Sequence, residues 1–131
     1  MLVFDKGDDI LIGLSDFVKK NEIKGGQLSG IGVLTQVELG FYHLDKKLYE
    51  RKHFGSKEFE LLSFNGNISL REDEPFVHVH VSLGQENFQV IGGHLFSAKV
   101  GVTAEIFLHP LGVMPIRKQN EEIGLALIDS I

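Results

Sequence analysis

Three histidines carry the most specific chemistry in this sequence. His78 and His80 are separated by one residue in a stretch where apolar residues alternate. Because alternate residues of a β-strand project from the same face, both imidazoles can reach one metal ion at about 2.1 Å. His94 follows two consecutive glycines, which would let its backbone approach a neighbouring strand closely. The types and spacing of these residues predict a three-histidine metal site.

Such a site restricts the ion and its chemistry. Three neutral imidazoles suit zinc, nickel or iron, of which zinc is the commonest, and they leave one coordination position open. That position could hold water, polarise a carbonyl group or accept a carboxylate from solution. Glu105, on a later alternating segment, is a candidate fourth ligand or an acceptor for an imidazole N–H.

An ordinary structural role is the alternative for these histidines. In that interpretation Val77, Val79 and Val81 face the core, while the histidines lie on a solvated or interfacial face and form hydrogen bonds with neighbours. The other three histidines have no partner at ligand spacing, and we expect them on the surface or in turns: His43, His53 and His109.

Other chemistry finds less support. The chain has no cysteine, so a thiolate nucleophile or ligand is excluded. Gly30-Ile31-Gly32 lacks the third glycine of a dinucleotide-binding turn, and no Gly-x-Ser-x-Gly motif is present. Five basic residues with interleaved aromatics between positions 45 and 57 hint at nucleic acid, but a net charge of -5 makes direct DNA binding doubtful. A solvated hairpin explains this segment better.

The elements that must position these residues are mainly strands. Asp8 or Asp9 is expected to cap a helix that ends near Asn21. Alternation predicts strands at 27–44, 48–51, 59–70, 76–83, 90–95 and 102–108, with a turn or bulge at Asn65-Gly66-Asn67 and a short apolar segment at 123–128. One helix among many strands indicates an α+β fold, with the helix on one face of a mixed, mainly antiparallel sheet.

The length favours one domain spanning residues 1–131. No basic leader is present, and no apolar run approaches the roughly 18 residues that span a bilayer. We therefore expect a cytoplasmic protein.

Seven short motifs follow one another along the chain: Gly30–Leu34, Leu39–Tyr42, Phe59–Ser63, Gly66–Ser69, Pro75–Val81, Gly92–Leu95 and Val102–Ile106. In their order and spacing they resemble the plants-and-prokaryotes conserved (PPC) domain, over about residues 5–110. The similarity is greater to the stand-alone prokaryotic members than to the plant AT-hook proteins, because the chain lacks an Arg-Gly-Arg-Pro hook. The segment 111–131 is a C-terminal tail outside the resemblance.

The resemblance implies an α/β-type subunit with a seven-stranded, largely antiparallel sheet that assembles as a homotrimer. It also implies metal binding by His78, His80 and His94, while the role of the matching Glu105 is less defined. The family is labelled predicted DNA-binding. Its plant members instead suggest a protein-interaction module without catalysis, in which the segment from Phe59 to Leu62 contacts partners.

Overall fold

A computed structural model describes residues 1–129 as one helix and eight strands. Their bounds are β1 (Leu2–Asp5), α1 (Ile10–Lys20), β2 (Gly26–His43), β3 (Leu48–His53), β4 (Phe59–Arg71), β5 (Glu74–Gly84), β6 (Val90–Pro110), β7 (Ile116–Asn120) and β8 (Leu125–Ile128).

All eight strands belong to one sheet. Its order is β3-β2-β6-β5-β4-β7-β8, with β1 paired to β6 and a further pairing between β2 and β4. Because β2, β6, β5 and β4 pair in a ring, the centre of the sheet closes on itself and leaves these strands few free edges. The pairing between β4 and β7 is parallel, so the sheet is mixed but mainly antiparallel, as predicted.

The single long helix begins and ends where the sequence predicts. The Asp9 carboxylate accepts a hydrogen bond from the Ile12 backbone N–H at 3.1 Å and caps the first turn. Ile10, Leu14 and Val18 recur on one face, are fully buried, and place α1 against β5 and β6. The helix therefore covers the strands that carry the three histidines.

Two expectations about the strands were wrong. The sheet has eight strands and not about seven, because β1 adds to β6 and the tail forms the β7–β8 hairpin. The turn or bulge at Asn65-Gly66-Asn67 is absent, since these residues pair regularly with His80, Val79 and His78. Gly66 is needed there for packing: a Cβ atom at this position would lie 2.3 Å from the His78 carbonyl oxygen.

The segments 90–95 and 102–108 are one continuous strand, β6, in the structure. Its first part pairs with β5 and its last part with β1, while β2 runs along most of its other edge. The pairing of β2 with β4 and with β6 contains register shifts, one of them between Gly30 and Gly32. Such irregularities bend a strand, and a bent β2 can pair with both β4 and β6 in the closed ring. No helix among the described residues is long and apolar enough to cross a membrane.

Candidate metal centre

The pairing of β5 with β6 brings the three histidines together. His78 and His80 are alternate residues of β5, and His80 lies directly opposite His94 on β6. Cross-strand neighbours of this kind have Cβ atoms about 4.5–5.5 Å apart, so their side chains meet on one face. The prediction that these three residues form one cluster agrees with this arrangement.

The cluster is compact enough for one ion. Each imidazole offers a nitrogen atom, and these nitrogens all lie within 4.8 Å of one another. The ring centroids are 5.1 Å apart for His78–His80 and for His78–His94, and 5.3 Å apart for His80–His94. His80 is exposed, whereas His78 and His94 are half-buried, so an ion held here would keep an accessible side.

Close strand packing beside the cluster depends on glycine, as the sequence predicted for the Gly-Gly pair. A Cβ atom on Gly92 would lie 2.5 Å from the Val81 carbonyl oxygen, and one on Gly93 would lie 2.8 Å from the Gly40 carbonyl oxygen. Real Cβ contacts are not this short, so side chains here would push β6 away from both neighbouring strands.

The electrostatic environment favours neutral imidazoles. Burial, the Arg117 guanidinium and the two other histidines together lower the pKa of His78 to about 4. Burial, His80, Arg51 and Arg117 lower the pKa of His94 to about 4, and burial also lowers the pKa of His80. Neutral imidazole is the form that ligates metals, so near neutral pH all three residues have the protonation state that an ion requires.

The hydrogen-bonding role expected in the alternative interpretation applies to only part of the cluster. His94 Nδ1 is buried and has no hydrogen-bond partner among the described residues. A buried polar atom without a partner costs free energy of about 1–3 kcal/mol, which an ion held at this nitrogen would offset. The orphaned nitrogen therefore fits a metal ligand better than a structural histidine.

His78 forms a hydrogen bond that bears directly on metal binding. Its Nδ1 lies 3.0 Å from Arg117 Nη2, and a guanidinium can only donate, so Nδ1 accepts. A neutral His78 in this arrangement carries its proton on Nε2. Ligation through Nε2 would move that proton to Nδ1, and ligation through Nδ1 would use the accepting lone pair. Metal ligation by neutral His78 and this hydrogen bond therefore exclude each other.

Arg117 is the site residue that the sequence did not reveal. It lies on β7, and its guanidinium also donates to Ser69 Oγ at 2.8 Å, to Asn67 Oδ1 at 3.0 Å and to the Ala126 carbonyl oxygen at 3.1 Å. The segment Ile116–Asn120 shows no strong periodicity and lies outside the motif-bearing region. Only the parallel pairing of β7 with β4 brings Arg117 to the histidines.

A cavity of about 340 Å³ opens beside the cluster, lined by residues of the central strands and of the β7–β8 hairpin. It is lined by His78 and His94, by Arg71 and Arg117, and by apolar and aromatic side chains that include Tyr49, Phe76 and Phe96. Tyr49 packs against His94 with ring centroids 5.1 Å apart, and its burial raises the pKa of its phenol. The cluster therefore forms part of the wall of a pocket.

The structure does not bring Glu105 to the cluster. Its Cα atom pairs with Ile31 on β2 and with Val3 on β1, eleven positions beyond His94 along β6, and its side chain is exposed. At about 3.3 Å per residue of strand this separation exceeds the reach of any side chain. Within this chain Glu105 is neither a fourth ligand nor an acceptor for these imidazoles.

The remaining candidate residues lie apart from the cluster. His53 and His109 are exposed, and His43 pairs with Glu50 at 2.9 Å. The basic segment is the predicted hairpin, in which Arg51 pairs with Glu38 and Lys47 donates to the Glu121 carbonyl oxygen. In the segment from Phe59 to Leu62, the two residues Phe59 and Leu61 are buried, so their side chains are unavailable to partners.

The fold and the cluster together can be compared with known proteins. The family model of the Plants and Prokaryotes Conserved (PCC) domain, which is the same as the PPC domain, matches residues 1–112. The chain belongs to this family. Arg117 and the β7–β8 hairpin lie beyond the part of the PPC domain that the family model matches.

Solved structures of PPC relatives resemble the whole chain. A PPC protein from Pyrococcus horikoshii is 38% identical with a TM-score of 0.91, and the similarity covers 99% of this chain and 90% of the other. A metal-containing protein from Archaeoglobus fulgidus is 36% identical with a TM-score of 0.90, and the similarity covers 98% of this chain and 91% of the other.

A structure from Bacteroides thetaiotaomicron, described as a "putative DNA binding protein", is 27% identical with a TM-score of 0.92, over 97% of this chain and 88% of the other. No curated protein matches the sequence.

Proposed function

We propose that this PPC protein binds a divalent transition metal, with zinc as the preferred ion, through His78, His80 and His94. The observation that carries the proposal is the convergence of three imidazole nitrogens within 4.8 Å, one pair across the β5–β6 ladder. Imidazole nitrogens suit borderline ions, and zinc is the commonest of these in proteins.

Two further observations support the metal. The buried His94 Nδ1 lacks a partner among residues 1–129, and an ion would supply one. A relative that is 36% identical, from Archaeoglobus fulgidus, is described as metal-containing. If an ion is held, these residues would leave it a coordination position on the side of exposed His80 and the adjoining cavity.

The decisive experiment is elemental analysis of protein purified without a histidine tag. We expect about one metal ion per chain in the wild type and loss of that ion in His78→Ala and in His94→Ala. His109→Ala is the matched control, because His109 is exposed and lies outside the cluster. A folded wild type that binds no zinc when dialysed against it at neutral pH would refute the proposal.

Binding, and not a defined reaction, is the function we assign. Among the described residues that line the cavity there is no carboxylate that could serve as a general base, and the predicted Glu105 lies elsewhere. A metal ion at the cluster could activate a bound water, but no described residue of the cavity wall identifies a substrate for it, so binding is the function that the residues support.

We propose further that the chain assembles as a homotrimer. Large apolar side chains stand exposed on β1, β2 and β6, among them Val3, Ile31, Val102 and Phe107. A second subunit that covers these residues would remove apolar surface from water, which stabilises an assembly. Light scattering at micromolar concentration tests this proposal, and a monomer would count against it.

An interaction or DNA-associated role is the second candidate, favoured by the description of the Bacteroides thetaiotaomicron relative. Direct DNA contact would have to use the β2–β3 hairpin, where Lys46, Lys47 and Arg51 lie. A gel shift that weakens steeply with salt, and weakens again when these three charges are neutralised, would support it. The absence of a shift at low salt would exclude it.

A further inference from the structure

The cavity beside the histidines has positive charge and no negative charge of its own. Two guanidinium groups, those of Arg71 and Arg117, line it, and no aspartate or glutamate among the described residues does. The three histidines are neutral when they ligate an ion, so a divalent ion would keep its whole charge. A partly enclosed site of this kind attracts an anion.

Arg117 is a positive charge of this cavity that has no carboxylate partner among residues 1–129. Its donors reach a hydroxyl, an amide oxygen, a backbone carbonyl and the His78 imidazole, all of which are uncharged acceptors. Within residues 1–129 no carboxylate lies within ion-pair distance of its guanidinium, whereas the neighbouring Lys118 pairs with Asp129. A half-buried guanidinium stays charged, and these hydrogen bonds to neutral acceptors leave its charge without a counterion.

Metal binding would also release a donor towards the cavity. When His78 ligates an ion as neutral imidazole, Arg117 Nη2 can no longer donate to His78 Nδ1. If ligation is through Nε2, the Nδ1–H and the Nη2–H become two donors that face each other across 3.0 Å. If ligation is through Nδ1, the Nη2–H loses its acceptor. In both cases an anionic oxygen is the acceptor that the site lacks.

Apart from the Tyr49 phenol, the rest of the cavity wall is mainly apolar. Leucines from three elements contribute to it, namely Leu11 on α1, Leu95 on β6, and Leu125 and Leu127 on β8. Phe76 adds an aromatic wall, and the Arg117 guanidinium lies 5.4 Å from its ring centroid. Apolar walls with a few convergent polar groups are typical of pockets that bind small organic molecules.

We propose that this cavity binds a small organic carboxylate, whose carboxylate group is held by Arg117 beside the histidine cluster and whose apolar body contacts the leucines. A carboxylate matches the planar guanidinium and needs fewer charged donors than a phosphate. The inference rests on the proposed metal function, because the ion both adds positive charge and displaces Arg117 from His78.

Calorimetric titration of zinc-loaded protein with hexanoate tests the inference. We expect saturable binding to the wild type, about ten-fold weaker or absent binding to Arg117→Gln, and no binding of the uncharged analogue hexanamide. Lys118→Gln is the matched control, because it removes one positive charge from the next residue of β7 without changing the cavity lining. Hexanamide binding as tight as hexanoate binding, or hexanoate binding that is insensitive to Arg117→Gln, would overturn the proposal.

Further measurements separate this inference from the metal proposal. Zinc content is measured on the same samples, and Arg117→Gln is expected to retain the ion. If the wild type holds no zinc, only the metal function has failed, and the metal-free protein is then titrated with hexanoate. Hexanoate binding that depends on Arg117 would support the carboxylate proposal, and no binding would overturn it. Tighter binding of inorganic phosphate than of hexanoate would contradict the carboxylate assignment.

A test that needs no variant covers the case in which Arg117→Gln does not fold. In the wild type, the Nε–H resonance of Arg117 in a ¹⁵N spectrum must shift saturably on addition of hexanoate. An unchanged resonance at saturating hexanoate would count against the proposal.

Discussion

At the scale of single residues, the site depends on the hydrogen bond between Arg117 and the Nδ1 atom of His78. Arg117 donates to His78 Nδ1 at 3.0 Å, and its guanidinium is held in place by further hydrogen bonds to Ser69 and Asn67 on β4. Burial first, and then the same guanidinium, lower the pKa of His78. The Arg117 guanidinium therefore favours a neutral His78 imidazole, but it repels a metal ion held at that imidazole.

This opposition leads to a prediction for Arg117→Gln. Removing the guanidinium eliminates a repulsive charge and a donor that competes for His78, so zinc affinity is expected to rise by about ten-fold in buffer without carboxylates. Competition with a chromophoric chelator measures this affinity. Lys118→Gln, in which the lost charge belongs to an exposed pair with Asp129, should leave it unchanged.

Gly66 gives a second prediction at this scale. Its substitution by alanine places a Cβ atom 2.3 Å from the His78 carbonyl oxygen and forces β4 and β5 apart. We expect a loss of about 1–3 kcal/mol in the free energy of unfolding, together with weaker zinc binding. Gly112→Ala is the control, since nothing lies within 4 Å of its added Cβ. Urea unfolding compares the two, and equal stability of both variants would contradict the packing role of Gly66.

At the scale of elements, the long strands position the histidines and the helix supports those strands. β5 supplies His78 and His80, β6 supplies His94, and α1 covers both strands from one side. The hairpin of β7 and β8 then closes the cavity with Arg117 and leucines. The site is therefore shared between the segment that the family model matches and the segment that follows it.

The support from α1 can be tested with Leu14→Ala. Leu14 is fully buried, so its truncation should lower the free energy of unfolding by about 2–5 kcal/mol through lost burial and a cavity. Ile12→Ala, on the exposed face of the same helix, should change it by less than about 0.5 kcal/mol. Thermal or urea unfolding of both variants checks the difference. Similar losses for both would show that the helix face has been assigned incorrectly.

At the scale of the whole molecule, the lowered histidine pKa values predict acid sensitivity. His78 and His94 have pKa values of about 4 in the folded chain, against about 6.5 when unfolded. Between these values the unfolded chain binds more protons, so stability falls as pH falls from about 6.5 to about 4 and is not lowered further by these groups below that. Urea midpoints of metal-free protein measure the slope. His78→Ala should reduce it, and an unchanged slope would contradict the assignment.

Zinc itself should stabilise the whole fold. A ligand that binds the folded state alone adds about 2.7 kcal/mol when its free concentration is 100 times its dissociation constant. The melting temperature of the wild type should therefore rise with zinc, and that of His94→Ala should not. An equal rise in both would place the ion elsewhere.

The sequence by itself determined the elements whose signals are local. The start of α1 at Asp8 or Asp9, its buried face, the β2–β3 hairpin and the alternation around His78 and His80 follow from capping preferences and from helix and strand periodicity. It also identified the three histidines, because an i, i+2 pair and a Gly-Gly-His segment each limit where a side chain can lie. These features depend on neighbours in the chain.

Only the tertiary structure decided the features that depend on pairing between distant segments. The continuous pairing through Asn65–Asn67, the eighth strand, the exclusion of Glu105 and the arrival of Arg117 at His78 all follow from which strands lie side by side. Register between distant strands is set by core packing over the whole sheet, and local sequence carries little of that information. The sequence thus contained the three histidines, and the fold supplied the arginine and the cavity beside them.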